Sequence, residues 1–288
     1  MRFVVVGEGA WGTVFGALLR ERSHDVSFVG RERRDEDFEA ADVIVAAIPS
    51  RSFGEVVESL PGAAPLLSLT KGLDPDTGGR LSSRVKGRTF SILSGPNIAQ
   101  EIAEGHPAAA VIASEDDVLA LTLQHAINSP TFRVYVNNDP AGVELAAAAK
   151  NVIALAAGAM DGLRLGDNSK AALITLGLAE LRRLGVATGA RAETFAGLAG
   201  TGDVLVTCWS RHSRNRRAGA LMARGATPQD ALRKLKTVEG LTTAPILRDL
   251  SESLGIELPI TNGIVEALQG RPIGHVIAEF MRRPPTGE

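Results

Sequence analysis

The chain opens with MRFVVVGEGAWGTVF, residues 1–15, in which an apolar run leads directly into a glycine-rich turn. The run Phe3–Val6 predicts a buried β-strand, and the residues Thr13–Arg22 predict a helix immediately after the turn. A strand, a glycine turn and a helix in this order are the start of a dinucleotide-binding α/β unit. These residues therefore decide the fold class of the first half of the chain.

The glycines within the turn have the spacing of the dinucleotide fingerprint. In that fingerprint the first glycine (Gly7) makes the tight turn, the second (Gly9) lets the backbone approach a pyrophosphate, and the third (Gly12) lets the helix pack on the strand. The N–H groups at the start of the helix then hold the phosphates. A purely structural glycine turn has the same letters, but the flanking strand and helix favour a cofactor site.

The end of the second strand indicates which dinucleotide is bound. Enzymes that read NAD usually place Asp or Glu there to accept a hydrogen bond from the ribose 2′-hydroxyl. This chain has Gly30 and Arg31 at that point, followed by Arg33 and Arg34. A guanidinium suits a 2′-phosphate, although a solvated basic loop is the alternative interpretation. The sequence predicts that NADP(H) is preferred and that NAD(H) can be used.

The two halves of the chain differ in pattern. Short apolar runs alternate with helical stretches as far as the turn NNDPAG at residues 137–142, and the alternating run Phe132–Val136 is typical of an edge strand. Beyond this turn, long Ala/Leu-rich helical stretches dominate, and no comparable β-rich run occurs after VLVTC at residues 204–208. The expected fold is a shortened, mostly parallel α/β Rossmann-type domain over residues 1–137, followed by an all-α domain over residues 138–288.

Composition limits the function classes. The formal net charge of −2 gives no electrostatic reason to expect nucleic acid or anionic membrane as a partner. The one cysteine, Cys208, excludes an internal disulfide and a cysteine-based zinc site, and the five histidines lack metal-ligand spacing. No metal, no membrane span and a cytoplasmic location are expected.

Two polar residues interrupt an otherwise apolar helix. Lys150 and Asn151 are the only polar residues among the sixteen between Glu144 and Asp161. The alanines around Lys150 suggest a closely packed helix whose lysine faces an enclosed site, where it could transfer a proton. From this stretch alone, a structural role and a catalytic role are equally supported.

Several further polar residues follow glycine turns or predicted strands. Asp203 follows the turn AGTG, Lys71 follows a strand that ends at Leu69, and Gly95 and Asn97 lie in a glycine-proline turn after another strand. Ligands bind beyond the carboxyl ends of strands in such sheets. Ser213, Arg214 and Asn215 precede a helix, where they could hold an anion. This set suggests a small phosphorylated polyol as the substrate.

Taken in order, these segments resemble bacterial-type NAD(P)-dependent glycerol-3-phosphate dehydrogenase over most of the chain. The likeness is carried by GEGAWGTVF, AIPS, TKGL, SGPNIAQEIAEGHPAAAVIAS, the long stretch around Lys150, TFAGLAGTGDVLVTC, SRNRRAG and VEG. The resemblance implies a reversible hydride transfer between NAD(P)H and dihydroxyacetone phosphate that yields sn-glycerol 3-phosphate for phospholipid synthesis. It implies that Lys150 is the general acid/base and that Asp203 is its supporting carboxylate.

The resemblance also implies the binding residues. The substrate positions are Lys71, Gly95, Asn97, Lys150, Asp203, Ser213, Arg214 and Asn215. The cofactor positions, besides the three glycines, are Ala10, Trp11, Arg31, Lys71, Ala99, Arg214, Thr237 and Glu239.

Three departures from the family pattern stand out. Only the ten residues 31–40 separate the second strand from ADVIVAAI, so a helix and a strand beside the adenosine site are expected to be missing. Ala10 replaces a frequent serine, and Leu176 replaces the usual arginine. Two alternatives stay open: a β-hydroxyacid or 6-phosphogluconate-type dehydrogenase, and a non-catalytic cofactor-binding relative. The sequence leaves a homodimer open.

Overall fold

The computed structural model describes residues 1–30, 35–280 and 282. These residues contain one sheet of seven strands in the order β2-β1-β3-β4-β5-β6-β7. The strands are β1 (Arg2–Val6), β2 (Asp25–Val29), β3 (Val43–Ala46), β4 (Leu66–Ser68), β5 (Phe90–Ser94), β6 (Ala108–Ser114) and β7 (Phe132–Asn137). All neighbouring strands are parallel except β5 and β6, and β7 is an edge strand as its alternating pattern predicts. The predicted Rossmann-type architecture is confirmed.

The helices connect the strands and then continue alone to the end of the described chain. Those between strands are α1 (Ala10–Glu21), α2 (Phe53–Glu58), α3 (Ala99–Ala103) and α4 (Asp117–Ile127). Those after the sheet are α5 (Pro140–Gly162), α6 (Asp167–Ala187), α7 (Ala192–Ala196), α8 (Asp203–Trp209), α9 (Arg214–Ala223), α10 (Pro228–Leu235), α11 (Glu239–Ser253), α12 (Pro259–Leu268) and α13 (Ile273–Phe280).

The chain divides into two compact units. The sheet unit comprises Met1–Ala147 and Gly189–Asp203, and the helical unit comprises Ala148–Thr188 and Val204–Glu288. This division differs from the predicted boundary after residue 137. The first turns of α5 belong to the sheet unit because Val143 packs in a buried cluster with Ile92 and Val111.

The sheet is buried on both faces, which explains its nearly continuous apolar strands. On one face Phe3, Val5, Val45 and Leu67 pack in a cluster that includes Phe15 of α1. On the other face the intervening residues of the same strands form a second buried cluster, built around Val4, Val6, Ile44, Leu66 and Phe53. Because side chains alternate along a strand, both sets must be apolar when both faces are covered.

The segment between β2 and β3 is short, as the sequence indicates. Its described residues contain one 3₁₀ turn, Asp35–Phe38, whose Phe38 packs in the second cluster. Arg31, on which the prediction of cofactor preference depends, lies outside the described residues.

The helical unit is built around α5. Among the described residues, this is the one helix long and apolar enough to span a membrane, and its most apolar 18-residue window is fully buried in the fold. A core helix passes the same test of length and composition, so the finding does not indicate a membrane span.

Candidate active site

The glycine turn after β1 has the geometry that a bound dinucleotide requires. Gly7 has φ +107°, and a Cβ there would lie 2.5 Å from the Ala47 carbonyl oxygen. A Cβ on Gly12 would lie 2.3 Å from the Gly7 carbonyl oxygen, so this glycine lets α1 pack closely on the turn. The Cβ position of Gly9 is open, with no heavy atom within 4 Å. Each glycine therefore meets the requirement that the fingerprint predicts, and the residues present fit the cofactor.

The start of α1 is accessible. Gly9 is its N-cap and Ala10 its first residue, and both are exposed, so their N–H groups can meet a phosphate. Trp11 is half-buried and contacts the Phe15 and Phe132 rings, with centroid distances of 5.8 and 6.2 Å. Its Nε1 is buried without a hydrogen-bond partner among the described residues. The cofactor contact of Trp11 stays a prediction.

A charged cluster in the sheet unit brings together four of the predicted substrate residues. Lys71 Nζ donates hydrogen bonds to the Asp203 carboxylate (2.6 Å), to Asn97 Oδ1 (2.7 Å) and to the Gly95 carbonyl oxygen (3.1 Å). Ser94 Oγ also donates to Asp203, at 3.3 Å. Asp203 is 2% exposed, so its charge is largely removed from water and opposed by the Lys71 cation.

The sheet topology creates this cluster. Strands β4 and β5 are parallel neighbours, so Lys71 and Gly95, which follow them, lie at the same edge of the sheet. Gly95 has φ +143°, and a Cβ there would lie 2.9 Å from the Ala109 carbonyl oxygen. Asp203 reaches the cluster because a single π turn, Leu198–Gly202, ends where α8 begins.

The side-chain amide of Asn97 is only partly paired. Its Oδ1 accepts from Lys71, whereas its Nδ2 is buried and has no hydrogen-bond partner among the residues that the structure describes. An unpaired buried amide group is costly, so such groups are rare unless a ligand or water completes them. Asn97 Nδ2 is therefore a donor that a substrate oxygen can satisfy.

In the helical unit, Lys150 is buried with a polar partner. The side chain is 6% exposed, and Nζ donates to Thr207 Oγ1 at 2.8 Å. Within α8, Thr207 lies four residues after Asp203 and so on the same side of that helix. The structure thus places Lys150 inside the protein, as the surrounding alanines suggest.

Asn215 links three elements of the helical unit. Its Nδ2 donates to Asn151 Oδ1 at 2.8 Å, and its Oδ1 accepts from the Gly240 N–H at 2.9 Å. A Cβ on Gly240 would lie 2.7 Å from the Asn151 carbonyl oxygen, so only glycine fits there. Asn215 therefore fixes the start of α9 beside α5 and the start of α11.

The other predicted residues of this unit lie near these helix starts. Ser213 is the N-cap of α9, and its hydroxyl accepts from the Arg216 N–H at 3.2 Å. Arg214 is exposed, Thr237 is half-buried, and Glu239 is the first residue of α11. In the sheet unit, Ala99 is the first residue of α3.

Three residues that contact predicted site residues were not predicted from the sequence. Thr207, Asn151 and Gly240 each bond a predicted residue, but none was predicted itself. Asn151 had a signal, because it is the second polar residue in an apolar helix. Thr207 lies in a β-branched run, and only its contact with Lys150 reveals it.

Two further observations concern the predictions for this region. Leu176, which replaces the family's arginine, lies on α6 with 46% of its surface exposed. Across the described part of the chain, no group of three His, Cys, Asp or Glu side chains could hold a metal ion.

The chain is similar to known proteins along most of its length. It matches the family model for the NAD-dependent glycerol-3-phosphate dehydrogenase N-terminus over residues 33–120 and that for the C-terminus over residues 139–274. It is 42% identical to glycerol-3-phosphate dehydrogenase [NAD(P)+] of Synechococcus sp. (strain JA-2-3B'a(2-13)), with 99% of this chain and 95% of that protein covered. The corresponding enzyme of Moorella thermoacetica is 38% identical, with 99% and 96% covered.

A solved structure agrees with these matches. The crystal structure of glycerol-3-phosphate dehydrogenase from Coxiella burnetii superposes with a TM-score of 0.94 at 29% identity, covering 98% of this chain and 99% of that one.

Proposed function

The chain belongs to the NAD-dependent glycerol-3-phosphate dehydrogenase family, and from this premise we propose how its own residues carry out the reaction. It is an NAD(P)-dependent oxidoreductase that transfers a hydride reversibly between NAD(P)H and dihydroxyacetone phosphate, giving sn-glycerol 3-phosphate. The observation that carries the assignment of the chemistry is the burial of Lys150, in an apolar helix, with its Nζ bonded to Thr207.

Lys150 is the general acid of the reduction. When bound, the nicotinamide cofactor supplies the hydride, and negative charge then develops on the C2 oxygen of the substrate. The Lys150 ammonium stabilises that charge and delivers a proton to the oxygen, and in the reverse direction the neutral amine removes it. Burial strengthens this interaction because little water competes for the ammonium group.

The Lys71 cluster orients the reacting end of the substrate. Asn97 Nδ2 offers a hydrogen bond that no described residue takes. Lys71 is held by Asp203 and Asn97, so its charge has a fixed position before substrate arrives. Asp203 thus supports the cationic side chains of the site, and Lys71 is its observed partner.

The start of α9 holds the substrate phosphate. The Arg214 guanidinium is exposed and can bond two phosphate oxygens at once. The N–H groups of the first turn and the helix dipole favour the same dianion, and Ser213 adds a hydroxyl. Asn215 acts by fixing this helix start, because its amide bonds Asn151 and Gly240.

A direct assay tests the function. Purified protein is expected to oxidise NADPH when dihydroxyacetone phosphate is added, and to reduce NADP⁺ with sn-glycerol 3-phosphate. In parallel, 6-phosphogluconate and a β-hydroxyacid are offered with NADP⁺. Turnover of either of these, with dihydroxyacetone phosphate inert, would contradict the proposed substrate.

A further inference from the structure

An ion cluster in the helical unit joins helices that carry the proposed site. Lys170 of α6 is buried, and its Nζ donates to both carboxylate oxygens of Asp161 in α5, each at 3.0 Å. Asp161 also accepts a 2.5 Å hydrogen bond from Nε of Arg216 in α9. One carboxylate therefore pairs with two cations on different helices.

The cluster also reaches α8. The Lys170 ammonium lies 4.9 Å from the centroid of the Trp209 ring, within the range of a cation–π contact. Trp209 is in the same helix as Thr207, the partner of Lys150. The helices α5, α8 and α9 carry Lys150, Thr207 and Arg214 respectively, so the cluster connects the elements that present the catalytic and phosphate-binding groups.

The backbones of α5 and α9 are in direct contact beside this cluster. A Cβ on Gly158 would lie 1.9 Å from the Arg216 carbonyl oxygen, and a Cβ on Gly219 would lie 1.9 Å from the Leu155 carbonyl oxygen. At these two glycines no side chain separates the helix backbones, so none can absorb a shift there. The rotation of α9 about this contact then depends on the polar side chains of α9 that bond other helices, and Arg216 is one of them.

Asp161 itself is too far from the reacting atoms to contact them. It lies eleven residues after Lys150 in α5, which is about 16 Å along the helix axis. Arg216, in contrast, is two residues after Arg214 in the first turn of α9, and its N–H is capped by Ser213. Fixing the Arg216 side chain therefore fixes the turn from which Arg214 projects.

We propose that Asp161 is a positioning residue that holds the first turn of α9, through Arg216, in the orientation that binds the substrate phosphate. Lys170 also pairs with the Asp161 carboxylate and ties it to α6. Without Asp161, the guanidinium of Arg216 would have no anchor on α5 and would compete with Arg214 for the phosphate. The inference rests on the proposed function, because it concerns the phosphate of that substrate.

The test compares Asp161→Asn, Arg216→Gln and the double variant in the full-length protein. Each single variant is expected to raise the KM for dihydroxyacetone phosphate about tenfold, equivalent to about 1.4 kcal/mol. The inhibition constant of inorganic phosphate should rise in parallel, while kcat changes less than about threefold. The double variant should be no worse than the poorer single variant, because both changes remove one interaction.

Asp249→Asn is the matched control, since it removes an exposed acid that pairs with Arg248 in the same unit. Its KM should equal that of the wild type. NADPH fluorescence titration and thermal melting report whether each variant is folded. If Asp161→Asn does not fold, Arg216→Gln decides, because Asp161 then keeps Lys170 as its partner.

Two results overturn the positioning role while leaving the proposed function intact. One is an unchanged KM in both folded variants, and the other is a loss of kcat with KM and phosphate inhibition unaltered. A wild type that does not turn over dihydroxyacetone phosphate would reject the proposed function and this inference together.

Discussion

Lys150 is the residue on which the proposed chemistry depends. Its side chain is 6% exposed, and its Nζ donates a hydrogen bond to the Thr207 hydroxyl at 2.8 Å. A buried ammonium group that a hydrogen bond orients suits the proton donor proposed above.

Replacing Lys150 tests that role. Lys150→Ala is expected to lower kcat by at least ~10²–10⁴-fold, the usual effect of removing a general acid. Lys150→Arg should also be poor, because a guanidinium does not deprotonate and cannot serve the reverse reaction. Steady-state turnover with dihydroxyacetone phosphate is the measurement, and NADPH fluorescence shows whether cofactor binding persists.

Lys234→Ala provides the control, since Lys234 is an exposed lysine on α10 of the same unit. It should have wild-type kinetics. A Lys150→Ala protein that binds NADPH and retains near-normal kcat would refute the lysine mechanism. Loss of folding in the same variant would favour the structural interpretation of this helix.

At the scale of elements, α12 begins at a buried carboxylate. Glu180 of α6 is 5% exposed and accepts hydrogen bonds from the N–H groups of Ile260 (2.6 Å) and Thr261 (3.3 Å) at the start of that helix. Burial raises the pKa of Glu180 to about 7, although these hydrogen bonds favour the charged form. One titratable side chain therefore takes the place of an N-cap, and we expect the attachment of α12 to α6 to depend on pH.

The free energy of unfolding depends on pH because Glu180 has different proton affinities in the folded and unfolded states. Between the ordinary glutamate pKa of 4.5 and about 7, Glu180 binds a proton more readily in the folded than in the unfolded state. The free energy of unfolding then falls as pH rises through this window, by at most about 3 kcal/mol from this group. Above pH 7 the group is ionised in both states and its contribution no longer changes.

Glu180→Gln should remove that contribution, because an amide still accepts from the Ile260 N–H but does not titrate. Relative to wild type, the variant's melting temperature is expected to rise steadily between pH 5 and pH 7.5. Glu252→Gln, at a 67% exposed glutamate of α11, should show no such trend. Calorimetric curves that stay parallel for Glu180→Gln and wild type would show that Glu180 is ionised throughout.

At the scale of the whole molecule, the chain is shorter than its relatives. Its alignment with the Moorella thermoacetica enzyme extends over 323 residues, more than the 288 present here, so that enzyme contains residues that this chain lacks. The sequence places one shortening between β2 and β3, beside the expected adenosine site. We expect recognition of the adenosine end to depend on fewer residues, among them the basic residues after Gly30.

We expect NADPH to be preferred over NADH because Arg31 stands where enzymes that read NAD place Asp or Glu. Arg31→Asp should raise the KM for NADPH strongly and leave that for NADH nearly unchanged, because only NADPH carries a 2′-phosphate. Arg133→Asp, at an exposed arginine of the edge strand β7, is the matched control. A wild type that favours NADH tenfold, or about 1.4 kcal/mol, would show that the loop GRERR does not bind the 2′-phosphate.

The sequence was sufficient to predict a structural feature wherever that feature depends on residues that are neighbours in the chain. Gly7 was predictable because its left-handed φ and its contact with Ala47 exclude a side chain. The buried sheet was predictable because both faces of β1, β3 and β4 must be apolar. The burial of Lys150 could be anticipated for the same reason, since small apolar residues surround it on every side of α5.

The run VLVTC shows where such patterns mislead. Its β-branched residues favour a strand, yet residues 204–208 lie in α8. Val204, Thr207 and Cys208 are the buried ones, and the spacing of these three residues is that of a helix. Tertiary packing thus overrode the local propensity, and it also placed Thr207 against Lys150.

The sequence by itself determined the sheet, the glycine turn and the helical second half, because each depends on neighbouring residues and their periodicity. Only the tertiary structure decided that Asp203 bonds Lys71, from which it is separated by 132 residues, and that Asp161 joins Lys170 to Arg216. Contacts between side chains that are far apart in the sequence produce no periodic pattern in it, since these contacts depend on the order of the strands and the packing of the helices. The resemblance named Lys71 and Asp203 as site residues, but their contact with each other is a property of the fold.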